Sequence, residues 1–167
     1  KLEYTLADAR WKGKKRINTV GAIGSNHCLA TTIYAKKIAM ECRLFLFRQP
    51  VTEHVKMTLS MYQKLGAEII YKGSYAKTFA SFYLSSLISG KKDYYLPAGG
   101  SSVIGNLGFV NAALELKDQI CAGEIPQPDY LVVAAGSMGT AAGLCIGLTL
   151  AGLATQLRAI RVIDRYY

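Results

Sequence analysis

The residues of this chain that could do chemistry sit on three turns rich in glycine and side-chain donors. The plainest is Ala135-Gly136-Ser137-Met138-Gly139-Thr140. An apolar run, Leu131-Val132-Val133, leads into it, and an Ala- and Leu-rich stretch, 141–154, follows. The β-branched run suits a strand buried on both faces, and the stretch after it is helix-prone. A strand, a glycine turn and a helix together can cradle a phosphate. The first N–H groups of a helix have no internal partner, and the macrodipole adds positive charge there. Glycines let backbone approach the anion, and Ser137 and Thr140 can donate hydroxyl protons. The same glycines also suit close packing of helix on sheet, and the local pattern divides evenly between the two. The spacing is neither the dinucleotide G-x-G-x-x-G nor the G-x-x-x-x-G-K of a P-loop.

The second turn is Gly21-Ala22-Ile23-Gly24-Ser25-Asn26-His27. It brings a hydroxyl, an amide and an imidazole to the start of a helix. Those donors, with the helix dipole, suit a small carboxylate ligand, although Ser25 alone is also an ordinary N-cap. The third turn is Pro97-Ala98-Gly99-Gly100-Ser101-Ser102. His27 has no metal-ligand partner at i+4, and the only other histidine is His54, so no metal site is expected. No Gly-x-Ser-x-Gly elbow supports a serine triad.

The elements that must position these turns alternate. Helices are expected over 2–12, 26–40, 53–65, 76–88, 106–122 and 141–154. Strands are expected over 16–20, 42–47, 68–71, 94–96, 131–133 and 158–163. On the second helix Ala30, Ile33, Tyr34, Ile38 and Ala39 are the candidate packing residues. Ser25 or Asn26 starts that helix, Thr52 the next, and Gly66 stops the latter. Such alternation is the signature of βαβ units in an α/β fold with a parallel sheet. Ligands then sit at the carboxyl ends of strands, where the three turns lie.

A length of 167 residues allows one domain or two small lobes. With 51% apolar and 19% charged residues the chain can bury a core, which excludes a disordered protein. The net charge of +9 permits an anionic ligand or nucleic acid. The lysines are dispersed, however, and no aromatic-basic recognition motif appears, so no nucleic-acid role is expected. The glycine turn splits the long uncharged run 131–157, so no membrane span is expected either. Cys28, Cys42, Cys121 and Cys145 form no C-x-x-C pair and suit buried free thiols in a reducing, cytoplasmic setting. The chain starts at Lys1 without methionine, which points to a piece of a longer protein.

Three motifs in order carry a resemblance over essentially the whole chain. They are Val20-Gly-Ala-Ile-Gly-Ser-Asn-His-Cys-Leu-Ala-Thr31, Tyr95-Leu-Pro-Ala-Gly-Gly-Ser101 and Val133-Ala-Ala-Gly-Ser-Met-Gly-Thr-Ala-Ala-Gly-Leu144. Together with Lys1-Leu-Glu-Tyr-Thr-Leu-Ala-Asp-Ala9, the chain resembles fold type II pyridoxal-phosphate enzymes. The similar branch is that of D-cysteine desulfhydrase and 1-aminocyclopropane-1-carboxylate deaminase. The resemblance implies three-layer, parallel-sheet, Rossmann-like lobes of the tryptophan-synthase-β-like fold, truncated at both ends. Residues 14–95 would be the small α/β lobe, with 1–13 and 96–167 part of the larger cofactor-binding lobe.

By the same resemblance the cofactor is pyridoxal 5'-phosphate. Ala135, Gly136, Ser137, Met138, Gly139 and Thr140 would hold its phosphate, and Asn26 would contact the phenolic oxygen of its ring. Ser25, Asn26 and His27 would bind the carboxylate of a small amino-acid substrate, with Ser25 close to the reacting carbon. The implied activity is that of a lyase or deaminase giving a 2-oxo acid and ammonia, with sulfide in the desulfhydrases. The full-length protein would be a homodimer. The family's cofactor lysine lies in an Asn-Lys-x-Arg-Lys-Leu-Glu pattern, and Lys1-Leu2-Glu3 matches its last three residues. That lysine would precede Lys1, so the chain is expected to be inactive alone. Leu29 stands where relatives often carry arginine, and the segment 48–55 is shorter than the family's asparagine-containing loop. A non-catalytic module for another phosphorylated ligand, or a basic nucleic-acid-binding α/β protein, are the alternatives. Loss of flanking strands would leave apolar surface open and favour association or marginal stability.

Overall fold

The computed structural model describes residues 1–162. Helices and strands alternate throughout: α1 Leu2–Trp11, β1 Arg16–Ala22, α2 Asn26–Lys37, β2 Glu41–Phe47, α3 Glu53–Lys64, β3 Glu68–Gly73 and α4 Tyr75–Ile88. Then come β4 Asp93–Leu96, a 3-10 turn Ala98–Gly100, α5 Val103–Cys121, β5 Tyr130–Ala135, α6 Gly139–Ala151 and β6 Gln156–Arg161. All strand pairs are parallel. The fold is therefore the expected α/β class. The chain divides near Gly99 into two compact units: Leu2 with 4–99, and Lys1 and Glu3 with Gly100 onward. Helix α1 packs in the first unit through Leu6 and Ala9, where the sequence reading had grouped 1–13 with the second.

The first unit is a four-stranded sheet in the order β3-β2-β1-β4. β1 is central, and its five inner residues are buried because both faces are covered. On one face Ile17, Leu44, Leu46 and Leu96 pack with Leu6, Cys28, Ala35, Val55 and Tyr62. On the other, Val20 and Phe45 pack with Phe82, whose ring meets that of Phe45 edge-on at 5.5 Å. This is the expected three-layer arrangement.

Helix α2 corrects the sequence reading of its packing face. Its buried residues are Cys28, Thr31, Thr32 and Ala35, whereas Tyr34 is exposed and Ala39 lies past the helix end at φ 56°. The threonines can turn inward because their hydroxyls donate to carbonyls one turn back. Thr31 Oγ1 reaches His27 O at 2.8 Å and Thr32 Oγ1 reaches Cys28 O at 2.9 Å. Their polarity is satisfied within the helix, so they can be buried there.

The second unit pairs β5 with β6, from Tyr130↔Gln156 to Ala135↔Arg161. Ala113, Leu144 and Leu148 form its core with Phe109, Leu131 and Val133. β5 is not buried on both faces as expected. Leu131 and Val133 turn inward, while Tyr130 and Val132 are exposed, because α5 and α6 cover one face of a two-stranded sheet. Helix α6 begins at Gly139, one residue before Thr140, and ends at Ala151, where Gly152 adopts φ 68°. β6 runs over 156–161, and Ile163 of the expected last strand lies outside the described residues.

Cys28 and Cys42 are buried free thiols, but Cys121 and Cys145 are exposed on α5 and α6. Burial pushes Cys28 up to about 12 and Cys42 to about 11. Their neutral burial stabilises the fold fully below the ordinary thiol value of 9.0, and this contribution falls away as pH climbs toward those values. Iodoacetamide at pH 8 is expected to label Cys121 and Cys145 in the native protein. Cys28 and Cys42 should react only with unfolding, as peptide mapping would show.

Asn18 on β1 is fully buried, and neither atom of its carboxamide has a protein partner. Its neighbours in register are Arg43 and Tyr95. Arg43 donates to Glu68 at 2.8 Å, and the Tyr95 hydroxyl is 2.9 Å from Ser85 Oγ. An unpaired buried amide costs about 1–3 kcal/mol. The near-isosteric Asn18→Leu is expected to raise the urea midpoint accordingly; a lower midpoint would show that the carboxamide stabilises the fold.

Candidate functional site

Two clusters carry the chemistry, one in each unit. The first is the turn from β1 into α2, at the carboxyl end of the central strand. A Cβ on Gly21 would come within 2.7 Å of Cys28 Sγ and 2.9 Å of Ser25 Oγ. On Gly24 it would lie 2.7 Å from Val55 Cγ2 and 2.8 Å from Gln49 Nε2. Both glycines are therefore set by close packing. Ser25 caps α2, its Oγ accepting from Cys28 N at 3.3 Å while its own proton remains to be donated. The Ser25 carbonyl accepts from Leu29 N and from the Tyr62 hydroxyl, each at 3.0 Å. Tyr62 on α3 is fully buried, and its phenol stays protonated because burial raises its pKa. Gly24 N donates to Gln49 Oε1 at 3.3 Å. Asn26 is exposed at the first helical position. His27 Nε2 lies 2.9 Å from Thr19 Oγ1. Ser25, Asn26 and His27 thus stand together at the carboxyl end of β1 and the start of α2. The clamp made by Gln49, Val55 and Tyr62 is what the sequence reading missed.

The second cluster is the loop from β5 into α6. Ser137 and Met138 are exposed, and Ala135 and Gly139 are buried. Met138 sits in the left-handed region at φ 62°, ψ −13°, a conformation disfavoured by about 1–2 kcal/mol for a residue with a Cβ. The first α-helical bond here runs from Ala142 N to Met138 O at 2.9 Å. The N–H groups of Gly139, Thr140 and Ala141 thus open the helix without an intrahelical acceptor. The first turn of α6 carries no acidic residue.

The glycines of this stretch divide by role. A Cβ on Gly139 would run into Ser101 and Asn106. On Gly143 it would lie 2.5 Å from Asn106 O, and on Gly147 2.7 Å from Val110 O. Those three glycines let α6 lie against α5 and the residues before it. A Cβ on Gly136 would meet nothing within 4 Å. Packing therefore accounts for Gly139 and not for Gly136.

Ser101 of the third turn joins this loop, with Lys1 and Asn106, two residues the sequence reading does not place here. Ser101 Oγ donates to Ser137 Oγ at 2.7 Å. Lys1 Nζ donates to Ser101 Oγ at 3.5 Å and lies 5.5 Å from the Phe109 ring centroid. Burial holds its ammonium below the usual lysine range. With its amide nitrogen turned toward the two carbonyls, Asn106 donates to Ser102 O at 3.3 Å and Gly139 O at 3.1 Å. The only hint in sequence was the serine pair after Gly99-Gly100. The arrangement is that of an anion cradle: helix N–H groups, hydroxyls, a nearby ammonium and open space at Gly136. A phosphate monoester fits it. No group of three His, Cys, Asp or Glu side chains that could hold a metal occurs among the described residues, and no helix among them is long and apolar enough to cross a membrane.

Tyr62→Phe removes a donor from the Ser25 carbonyl without changing shape. Its expected effect is a loss of about 0.5–1.5 kcal/mol in urea unfolding, with faster exchange of the N–H groups in the first turn of α2. Unchanged exchange there would show that Tyr62 does not hold the turn.

Comparison with known proteins agrees with this geometry. The family model described as "Pyridoxal-phosphate dependent enzyme" matches residues 1–164. A putative 1-aminocyclopropane-1-carboxylate deaminase of Pyrococcus horikoshii is 38% identical over 158 residues, covering 90% of this chain and 46% of the relative. The D-cysteine desulfhydrase of Klebsiella pneumoniae is 35% identical over 156 residues, covering 89% and 47%. The crystal structure of an ACC deaminase homologue superposes with a TM-score of 0.78 at 33% identity, over 95% of this chain and 49% of that one. The chain spans about half the length of the curated relatives it matches. Motifs and fold agree with the family match: the chain belongs to the pyridoxal-phosphate dependent enzymes.

Proposed function

We propose that the protein containing this chain is a pyridoxal-phosphate-dependent lyase or deaminase of the D-cysteine desulfhydrase type. It would act on a small amino acid and release a 2-oxo acid and ammonia, with sulfide where the substrate carries a thiol. The observation that carries this reading is the open space at Gly136 beside the donor-lined start of α6. When bound, the cofactor's conjugated ring supplies the electron sink for the amino acid.

The chain's own residues do the holding. The N–H groups of 139–141 and the hydroxyls of Ser137 and Thr140 take the phosphate. Ser101 orients Ser137, and Lys1 adds positive charge through Ser101. Asn26 contacts the ring's phenolic oxygen. Ser25, Asn26 and His27, the last through its main-chain N–H at the start of α2, bind the substrate carboxylate, with the Ser25 hydroxyl near the reacting carbon. The relatives named as deaminases and desulfhydrases support the reaction class. In the whole protein, residues 14–95 would form the smaller lobe, with 1–13 and 96–167 part of the cofactor lobe. A cytoplasmic homodimer completes the reading.

Gly136→Asp tests the cradle directly, since a Cβ at this position meets no neighbour within 4 Å. The chain is expected to bind pyridoxal 5'-phosphate about tenfold or more tightly than pyridoxal, with inorganic phosphate competing. Gly136→Asp should abolish that difference while keeping the urea midpoint. Equal affinity for the two compounds would overturn the cradle. With D-cysteine the chain alone is expected to show no turnover; turnover together with a borohydride-trapped cofactor on one lysine within 1–167 would overturn that expectation.

A further inference from the structure

Beneath the Ser25–His27 turn, Thr19 makes two bonds with one proton. Its side chain is fully buried on β1. Its Oγ1 donates to Leu96 O at 2.9 Å, a buried bond to the neighbouring strand β4. The same oxygen lies 2.9 Å from His27 Nε2. A hydroxyl has a single proton to give, and a carbonyl can only accept. The proton of Thr19 is committed to Leu96, so the proton between Thr19 and His27 belongs to the imidazole. We propose that Thr19 is a positioning residue that fixes neutral His27 as the Nε2–H tautomer, leaving Nδ1 as the ring's acceptor nitrogen.

This rests on the reading of Ser25–His27 as the substrate turn and deepens it. A neutral imidazole whose only N–H points inward to Thr19 has no proton to offer a carboxylate. The donors for that carboxylate are then Ser25, Asn26 and the N–H groups that open α2, which is also where the helix dipole acts. His27 serves the turn as an oriented acceptor through Nδ1. The orientation comes from the sheet: Thr19 and Leu96 are partners in the register of β1 and β4.

Long-range proton–nitrogen NMR of the chain reads the tautomer without cofactor or substrate. Only two histidines occur, and exposed His54 serves as the internal reference. Above the imidazole titration, His27 is expected to show protonated Nε2 and bare Nδ1, with a slowly exchanging ring proton. Thr19→Ser should keep that pattern. Thr19→Val, which keeps the shape and removes the acceptor, should shift His27 toward the mixed tautomers of His54. A His27 protonated on Nδ1 in the native chain would overturn the proposal, and so would a Thr19→Val ring spectrum identical to that of the native chain. Should Thr19→Val fail to fold, the native and Thr19→Ser spectra still decide. A purely structural Thr19 would change the unfolding midpoint and leave the ring nitrogens alone. Loss of phosphate-dependent cofactor binding, by contrast, would sink the cofactor reading and leave the tautomer result standing.

Discussion

Backbone meets backbone along α6 because Gly143 and Gly147 carry no Cβ. At Gly143 and Gly147 an added Cβ would sit 2.5 and 2.7 Å from carbonyl oxygens of α5. Side chains can swing aside, but main chain in a helix cannot, so the spacing of α5 and α6 is fixed at those points. That spacing places Asn106 against the Gly139 carbonyl and the Ser101 hydroxyl against Ser137. The proposed anion cradle thus depends on a helix–helix contact.

The first unit solves the same problem with threonine and tyrosine. α2 has little amphipathic character by type, since threonines hold its inner face. Each buried hydroxyl finds an acceptor in its own helix or on a strand edge. The turn at Ser25 is then held from three sides: by Tyr62 at its carbonyl, by Gln49 at the Gly24 N–H, and by the Thr19–His27 contact. A turn built this way is preorganised by groups that lie behind it.

Local signals were enough for the alternation of strands and helices, for the caps Ser25 and Thr52, and for the stop at Gly66. Each is written in residues adjacent in the chain. The three turns that carry the chemistry were legible for the same reason. What the sequence hid depends on partners far away along the chain. The Tyr62 contact with Ser25 spans 37 positions and the Lys1 contact with Ser101 spans 100. The inner face of α2 was misread because threonine counts as polar until its hydroxyl is seen to be satisfied at i−4. β5 differs from the expectation because an apolar run reports the burial of a complete sheet, and two strands pair there among the described residues.

The two glycines that flank Ser137-Met138 answer to different masters. Gly139 is enforced by its neighbours whether or not anything binds, whereas no neighbour in the fold crowds Gly136. Among descendants of this sequence that kept the fold but abandoned the ligand, position 139 would stay glycine and position 136 would drift. The residue found at 136 therefore serves as a gauge of selection on binding, separable from selection on folding within a single four-residue loop.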